Sequence, residues 1–311
     1  MTKIVIIGAG ALGSLLAFYL SARSEVWLLD RWGEQVEAIA AGGVTCERAG
    51  QAETRAVRAT TDAAAIGRCD AALIAVKSRH TRWAAEQAGK LPGAAVVTLQ
   101  NGIGNRETLA AALGAERVGQ GVTTLGATLL GLGRVRQSGH GTTVFGAQPD
   151  RAAAEQLAAL FAASGLPAEV SDDLDALVWG KLVANAGINA LSALLRVPNG
   201  ALAHVPEAAA LLEAAAREAA AVAERRGIRL PYDDPAAYAL QVAQTTADNW
   251  SSMLQDVLRG RPTEIEEING AVVREGERLG VPTPVNRALA DLVRARDACA
   301  RAGWSIEDQG A

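Results

Sequence analysis

The residues best suited to chemistry fall on one line of a long apolar segment. In VWGKLVANAGINALSALL, residues 178–195, Lys181, Asn185 and Asn189 recur at i, i+4 and i+8. That spacing puts them on one face of a helix. No other charge occurs between Lys181 and Arg196. A lysine among apolar neighbours is costly unless it is paired or working, and burial makes its pKa tunable. Two carboxamides beside it offer donors and acceptors to a polar ligand. The plainer reading is an exposed polar stripe, but such stripes usually carry more charge. A second segment, NWSSMLQDVLRGRPTEIEEING, residues 249–270, holds adjacent serines, Ser251 and Ser252, and three close carboxylates. By spacing alone Glu264 reads as an acid opening a helix after Pro262, where the dipole favours it. Glu266 and Glu267 read as solvent-facing. His80, His140 and His204 are isolated, and Cys46, Cys69 and Cys299 fit no zinc or disulfide spacing. No metal is expected.

The other chemical signal is GAGALG at residues 8–13, a G-x-G-x-x-G turn between an apolar run and a helical pattern. That context is what a dinucleotide-binding turn requires. Gly8 permits the tight turn, Gly10 lets backbone approach a pyrophosphate, and Gly13 lets helix and strand pack. The helix start at Ala11, Leu12 and Gly13 adds N–H groups and a positive dipole end. A flavin nucleotide would use the same turn. Asp30-Arg31 stands 17 residues after Gly13. An acid there selects NAD through the ribose 2′-OH, whereas an arginine accommodates the 2′-phosphate of NADP. Both cues are present, and they conflict. Lys77 closes a later apolar run and suits cofactor phosphates. Asn101, after Leu99-Gln100, closes the next, and ligands of open α/β sheets sit at the carboxyl ends of strands.

The elements that position these residues follow from periodicity. Lys3–Ile7, Glu25–Leu29, Ala71–Val76 and Ala94–Leu99 are short apolar runs. They alternate with helical patterns at Ala11–Ala22, Glu34–Ala41, Arg82–Ala88 and Asn105–Ala112. This predicts an α/β fold with a parallel sheet. Val118–Gly146, rich in Thr, Gly and Val, predicts a few antiparallel strands. From Asp172 onward the patterns are helical, at Leu174–Leu195, Pro206–Arg226, Pro235–Asp248, Thr263–Leu279 and Pro284–Ala302. The predicted division is a dinucleotide-binding Rossmann-type domain over residues 1–171 and an all-α substrate domain over 172–311.

Composition narrows the class. Of 311 residues half are hydrophobic but only 4% aromatic, so the cores must be mainly aliphatic, with the six Trp as exceptions. A net charge of −4 gives no basic excess for nucleic acid or an anionic membrane. The start MTKIVIIGAG lacks the form of a signal peptide. No apolar stretch reaches the roughly 18 uncharged residues of a membrane span. Few, odd-numbered cysteines suit a reducing cytoplasm. Apolar faces in the helical half are compatible with a homodimer.

Taken together the motifs resemble the ketopantoate reductase family over nearly the whole chain. The resemblance rests on GAGALG, VKS at 76–78, QNGIGN at 100–105, WGKLVANAGINAL at 179–191 and SSMLQDVLRGRPTEIEEINGAVV at 251–273. The first is shared by many dehydrogenases, and the last two are far more specific. The resemblance implies a Rossmann domain followed by a helical domain like that of 6-phosphogluconate dehydrogenase. It implies reduction of 2-dehydropantoate to (R)-pantoate with NADPH, in pantothenate biosynthesis. It implies Lys181 as catalytic lysine and Glu264 as catalytic acid. Asn185, Asn189 and Ser252 match substrate contacts, and Asn101 matches a residue shared by substrate and nicotinamide. Lys77 and Arg31 match cofactor contacts, Arg31 on the 2′-phosphate. Asp30 departs from the small or neutral residue usual before that arginine and leaves NADH open. The expected chemistry is hydride transfer to C2 of a small 2-keto acid in a cleft between domains, with Lys181 as general acid. The rival readings are a reductase of another small 2-keto acid and, in a different class, a non-catalytic nicotinamide-nucleotide sensor.

Overall fold

The computed structural model describes residues 2–304, so residues 305–311 of the expected second domain lie outside the described residues. The chain forms two compact units. One holds the described residues to Gln100 together with Gly104–Leu174. The other holds Asn101–Ile103 together with the described residues from Asp175.

The first unit contains strands β1 (Lys3–Ile7), β2 (Glu25–Leu29), β3 (Val44–Arg48), β4 (Gln51–Arg55), β5 (Arg58–Thr60), β6 (Ala71–Ile74), β7 (Ala95–Thr98), β8 (Val118–Thr123), β9 (Gly126–Gly131), β10 (Arg134–Gly139), β11 (Thr143–Gly146) and β12 (Ala168–Ser171). Its helices are α1 (Ala11–Leu20), α2 (Gly33–Gly42), α3 (Thr81–Gly89), α4 (Asn105–Leu113) and α5 (Arg151–Ala163). Eight strands make one sheet in the order β12-β11-β8-β7-β6-β1-β2-β5. All neighbours are parallel except β11 on β8. Ile4–Ile7 and Ala71–Ile74 are buried throughout, because helices cover both faces of a parallel sheet. From β1 the chain runs outward to β2 and later returns to β6 on its other side. The turn after β1 therefore sits where strand order reverses, the place where doubly wound folds bind ligands.

The Val118–Gly146 stretch is more mixed than antiparallel strands alone. Strand β8 extends the parallel sheet, and only β9–β10 and β8–β11 pair antiparallel. The expected antiparallel pair β9–β10 belongs to a second sheet, β4-β3-β10-β9, whose other two strands were not foreseen. Its strand QAETR has no apolar alternation and is largely exposed. Helix α5 was also missed, although Asp150 caps it by accepting from Ala153 N at 3.1 Å. Its Phe161 packs edge-on against Phe145, with ring centroids 5.0 Å apart.

The second unit contains α6 (Leu174–Leu195), α7 (Asn199–His204), α8 (Pro206–Arg225), α9 (Pro235–Thr245), α10 (Ser252–Leu258), α11 (Asn269–Leu279) and α12 (Pro284–Arg301). Helix α6 is its axis, with Trp179, Leu182, Val183, Ala186 and Leu191 in the core. By length and composition α6 is apolar enough to cross a membrane, but 78% of its apolar window is buried within the fold. Trp179 is the one fully buried tryptophan among those described, and Trp250 and Trp304 are exposed. The expected helix Thr263–Leu279 is corrected. It begins at Asn269, and residues 263–268 are an irregular segment and turn. The Asn269 amide donates to Ala186 O at 2.9 Å and to Asn286 Oδ1 at 3.0 Å, which anchors the start of α11 on α6.

Candidate active site

In the first unit the glycine-rich turn has the geometry of a phosphate cradle. A Cβ on Gly13 would lie 1.8 Å from Gly8 O, so only glycine lets α1 cross β1 this closely. A Cβ on Gly10 would meet nothing within 4 Å, which leaves open space above the turn. Helix α1 begins at Ala11, so the N–H groups of its first turn have no acceptor within the helix. An open backbone surface at a helix N-terminus, at the strand-order reversal, fits a dinucleotide pyrophosphate.

Asp30, the acid at the end of β2, is held by two backbone N–H groups. Its Oδ2 accepts from Ala9 N at 2.6 Å and its Oδ1 from Trp32 N at 3.0 Å. The carboxylate thus ties the glycine-rich turn to the end of β2. Gln35, buried, reinforces the turn by donating to Ala9 O at 2.8 Å. Arg31 is exposed and its guanidinium lies against His80, 2.9 Å and 3.0 Å from the two ring nitrogens. Sequence reasoning left His80 isolated, because 49 residues separate it from Arg31. Lys77 is half-buried at the start of the turn after β6. A hydrogen-bond relay ties the ends of these strands together. Gln100 Nε2 donates to Val76 O at 3.0 Å and to Thr81 Oγ1 at 2.9 Å, and Thr81 Oγ1 donates to Asn105 Oδ1 at 2.9 Å.

In the helical unit Lys181 Nζ donates to Asn101 Oδ1 at 2.7 Å. Asn101 reaches it because residues 101–103 pack with the helices. Ile103 N donates to Glu267 O at 3.2 Å. Gly102 has φ +77°, and a Cβ there would lie 2.2 Å from the same oxygen. Burial pushes the Lys181 ammonium down to about 8, while the Glu264 carboxylate works to raise it. Glu264 is itself buried, 6% exposed, in the irregular segment before α11. It is therefore neither the helix-opening acid nor the solvent carboxylate that spacing suggested. Glu267 is half-buried too, and burial with the Glu264 charge holds its carboxyl above the usual range. Glu266 pairs with Arg294 at 2.7 Å and Arg274 at 3.0 Å.

Asn185 is half-buried and Asn189 is 5% exposed, one and two turns beyond Lys181 on α6. Among the described residues no protein group hydrogen-bonds either side-chain amide or the Ser252 hydroxyl. Of the three only Asn189 is buried, while Asn185 and Ser252 are partly open to solvent. Ser251, the neighbour of Ser252, has a structural part. It caps α10 by accepting from Leu254 N at 3.0 Å and meets Ser192 of α6 at 2.6 Å. No group of three or more His, Cys, Asp or Glu among the described residues is placed to hold a metal ion.

The lysine's lowered proton affinity carries a pH signature. A general acid must be protonated, so kcat/KM for reduction is flat below neutrality and falls as pH rises through about 8. In Glu264→Gln the carboxylate that favours the ammonium is gone, and the descending limb moves to lower pH. A limb that stays in place, or moves up, contradicts the pairing of these two residues.

A dinucleotide cradle on a parallel sheet, followed by a helical unit with a half-buried lysine on its long helix, defines the class of two-unit nicotinamide-dependent oxidoreductases. Residues 4–150 match the family model described as ketopantoate reductase PanE/ApbA, and residues 173–297 match that of its C-terminal domain. The chain belongs to the ketopantoate reductase PanE/ApbA family. A curated relative from Archaeoglobus fulgidus, named 2-dehydropantoate 2-reductase, is 36% identical over 94% of this chain and 97% of its own. A crystal structure of a family ketopantoate reductase from Ralstonia eutropha JMP134 is 37% identical and covers 96% of this chain and all of its own, with a TM-score of 0.89. D-mandelate dehydrogenase, solved with NADH and anilino(oxo)acetate, also reaches a TM-score of 0.89 at 27% identity, covering 96% of this chain and all of its own.

Proposed function

We propose that this chain reduces 2-dehydropantoate to (R)-pantoate, with NADPH as the favoured coenzyme. The observation that carries the reading is the Lys181–Asn101 pair, 2.7 Å apart, on a helix that carries Asn185 and Asn189 one and two turns further on. Relatives named 2-dehydropantoate 2-reductase along nearly the whole chain support the substrate. When bound at the glycine-rich turn, a reduced nicotinamide supplies hydride to C2 of the keto acid. Lys181 hydrogen-bonds the keto oxygen and gives it a proton as negative charge builds there. Asn101 holds the ammonium in position, and Glu264 keeps it charged. Asn185, Asn189 and Ser252 bind the substrate's carboxylate and hydroxyl. Arg31, exposed at the end of β2, supports NADPH, because a guanidinium there suits the 2′-phosphate. The unpaired thiols Cys46, Cys69 and Cys299 suit the cytoplasm.

A second reading follows from the likeness to D-mandelate dehydrogenase, in which another small 2-keto acid is the substrate and NADH the coenzyme. A spectrophotometric assay separates the two. Ketopantoate, several branched 2-keto acids and benzoylformate are each run with NADPH and with NADH. Ketopantoate with NADPH is expected to give the highest kcat/KM. A tenfold preference for another keto acid, worth about 1.4 kcal/mol of transition-state binding, overturns the substrate assignment. Binding of dinucleotide with no keto acid reduced turns the protein into a nucleotide sensor.

A further inference from the structure

Three basic side chains from two strand ends meet beside the glycine-rich turn. Arg31 follows β2, and Arg79 and His80 follow β6, strands that flank β1 on either side. Arg31 Nη2 lies 2.9 Å from His80 Nδ1, and Arg79 Nε donates to His80 Nε2 at 3.1 Å. The groups facing the imidazole are the two guanidiniums, with Lys77 at the start of its own turn and Asp30 on the side of β2. Burial, Arg31 and Arg79 lower the pKa of His80 below the ordinary histidine range, and Asp30 works weakly against them. Burial first, and the two guanidiniums after it, thus disfavour the imidazolium here. An anion placed among these groups would convert like-charge crowding into charge-assisted hydrogen bonds. The end of β2 is where a dinucleotide presents its adenosine ribose, and the 2′-phosphate is the anion that arrives there.

We propose that Arg31, Arg79 and His80 together form the 2′-phosphate site of this chain, and that His80 binds the phosphate as an imidazolium, so that choice of NADPH over NADH is coupled to uptake of a proton. The inference rests on the dinucleotide reading above and adds His80 and Arg79 as specificity-determining residues. The balance is simple. Neutral His80 takes one proton from solvent when the phosphate dianion binds, and that proton returns to solvent when the dinucleotide leaves. NADH brings no phosphate to this place and moves no proton there. The affinity for NADPH accordingly weakens as pH rises from 6 to 8, more than the affinity for NADH does. The sign follows from a histidine whose proton is favoured only in the complex.

Isothermal titration calorimetry on the full chain tests this. NADPH and NADH are each titrated at pH 7.5 in buffers of different ionisation enthalpy. At that pH a phosphate monoester, with a second pKa of about 6, is already a dianion and contributes little proton exchange. The expected result is net proton uptake with NADPH and none with NADH. His80→Gln, which keeps a neutral hydrogen-bonding side chain, is expected to bind NADPH without proton uptake. Arg31→Ala and Arg79→Ala are each expected to weaken NADPH at least tenfold, about 1.4 kcal/mol, and NADH much less. Equal proton uptake by His80→Gln and the unaltered chain overturns the proposal, as does equal affinity for the two dinucleotides. Failure of both dinucleotides to bind would instead overturn the dinucleotide reading beneath it.

Discussion

Lys181→Ala lowers kcat for keto-acid reduction by about 10²–10⁴-fold, the range typical of removing a positioned general acid. Dinucleotide affinity stays nearly unchanged, because the glycine-rich turn belongs to the other unit. The loss divides into two parts. One is the proton that must reach the developing alkoxide. The other is the positive charge that stabilises it before transfer. Lys181→Arg separates them, since a guanidinium keeps the charge but does not release a proton near neutrality. The arginine variant is expected to regain part of the charge stabilisation while losing the descending limb at about 8 from its pH profile. Single-turnover measurements of dinucleotide oxidation read the chemical step without product release. A Lys181→Ala enzyme with near-normal turnover on every keto acid tried removes this residue from the mechanism.

Gly102→Ala has the second largest expected effect. The residue sits at φ +77°, where an L side chain costs roughly 1–2 kcal/mol. The new Cβ would stand 2.2 Å from Glu267 O, a backbone atom that cannot turn aside. Forced overpacking of this sort typically adds about 1–3 kcal/mol. The strain falls between Asn101, which holds Lys181, and the segment that carries Glu264. Stability measured by denaturant unfolding is therefore expected to fall by roughly 2–5 kcal/mol, the sum of those two costs. In the fraction that folds, kcat/KM is expected to drop as well, with the lysine's pH limb displaced, because Asn101 no longer meets Nζ at its proper place. A variant with unaltered stability and unaltered turnover would show that the contact between residues 102 and 267 does not position the site.

How much of this was legible depends on where each residue's partners lie in sequence. The Lys181, Asn185 and Asn189 face was readable because a helix places i, i+4 and i+8 together whatever surrounds it. The glycine-rich turn was readable for the same local reason, as one strand, one turn and one helix start. Glu264 was not readable from spacing. Pro262 and three acids look like a helix start, and only the tertiary anchoring of Asn269 on Ala186 and Asn286 delays the helix. His80 was missed because its neighbour Arg31 is brought to it by the parallel pairing of β2 and β6 about β1. The strand ends Asp30 and Arg31 gave conflicting cues because a sequence does not record direction. In the structure one side chain turns inward to backbone N–H groups and the other outward to a histidine. Of the sheet β4-β3-β10-β9, the strands β9 and β10 fall in the stretch read as antiparallel, whereas β4 went unread because QAETR has no period-two apolar pattern.

The packing of Asn101–Ile103 with the helices has a genetic consequence. A gene fragment beginning at Asp175 encodes every helix of the second unit but not the carboxamide that Lys181 bonds. Such a fragment lacks the Ile103 strap on Glu267 as well. Exchange of the two halves between relatives at residue 174 would therefore produce hybrids whose lysine comes from one parent and whose Asn101 comes from the other. Recombination is expected to tolerate that junction only where both parents agree on the tripeptide at 101–103 and on the backbone path near 267, so the heritable module is discontinuous even though the fold looks like two consecutive halves.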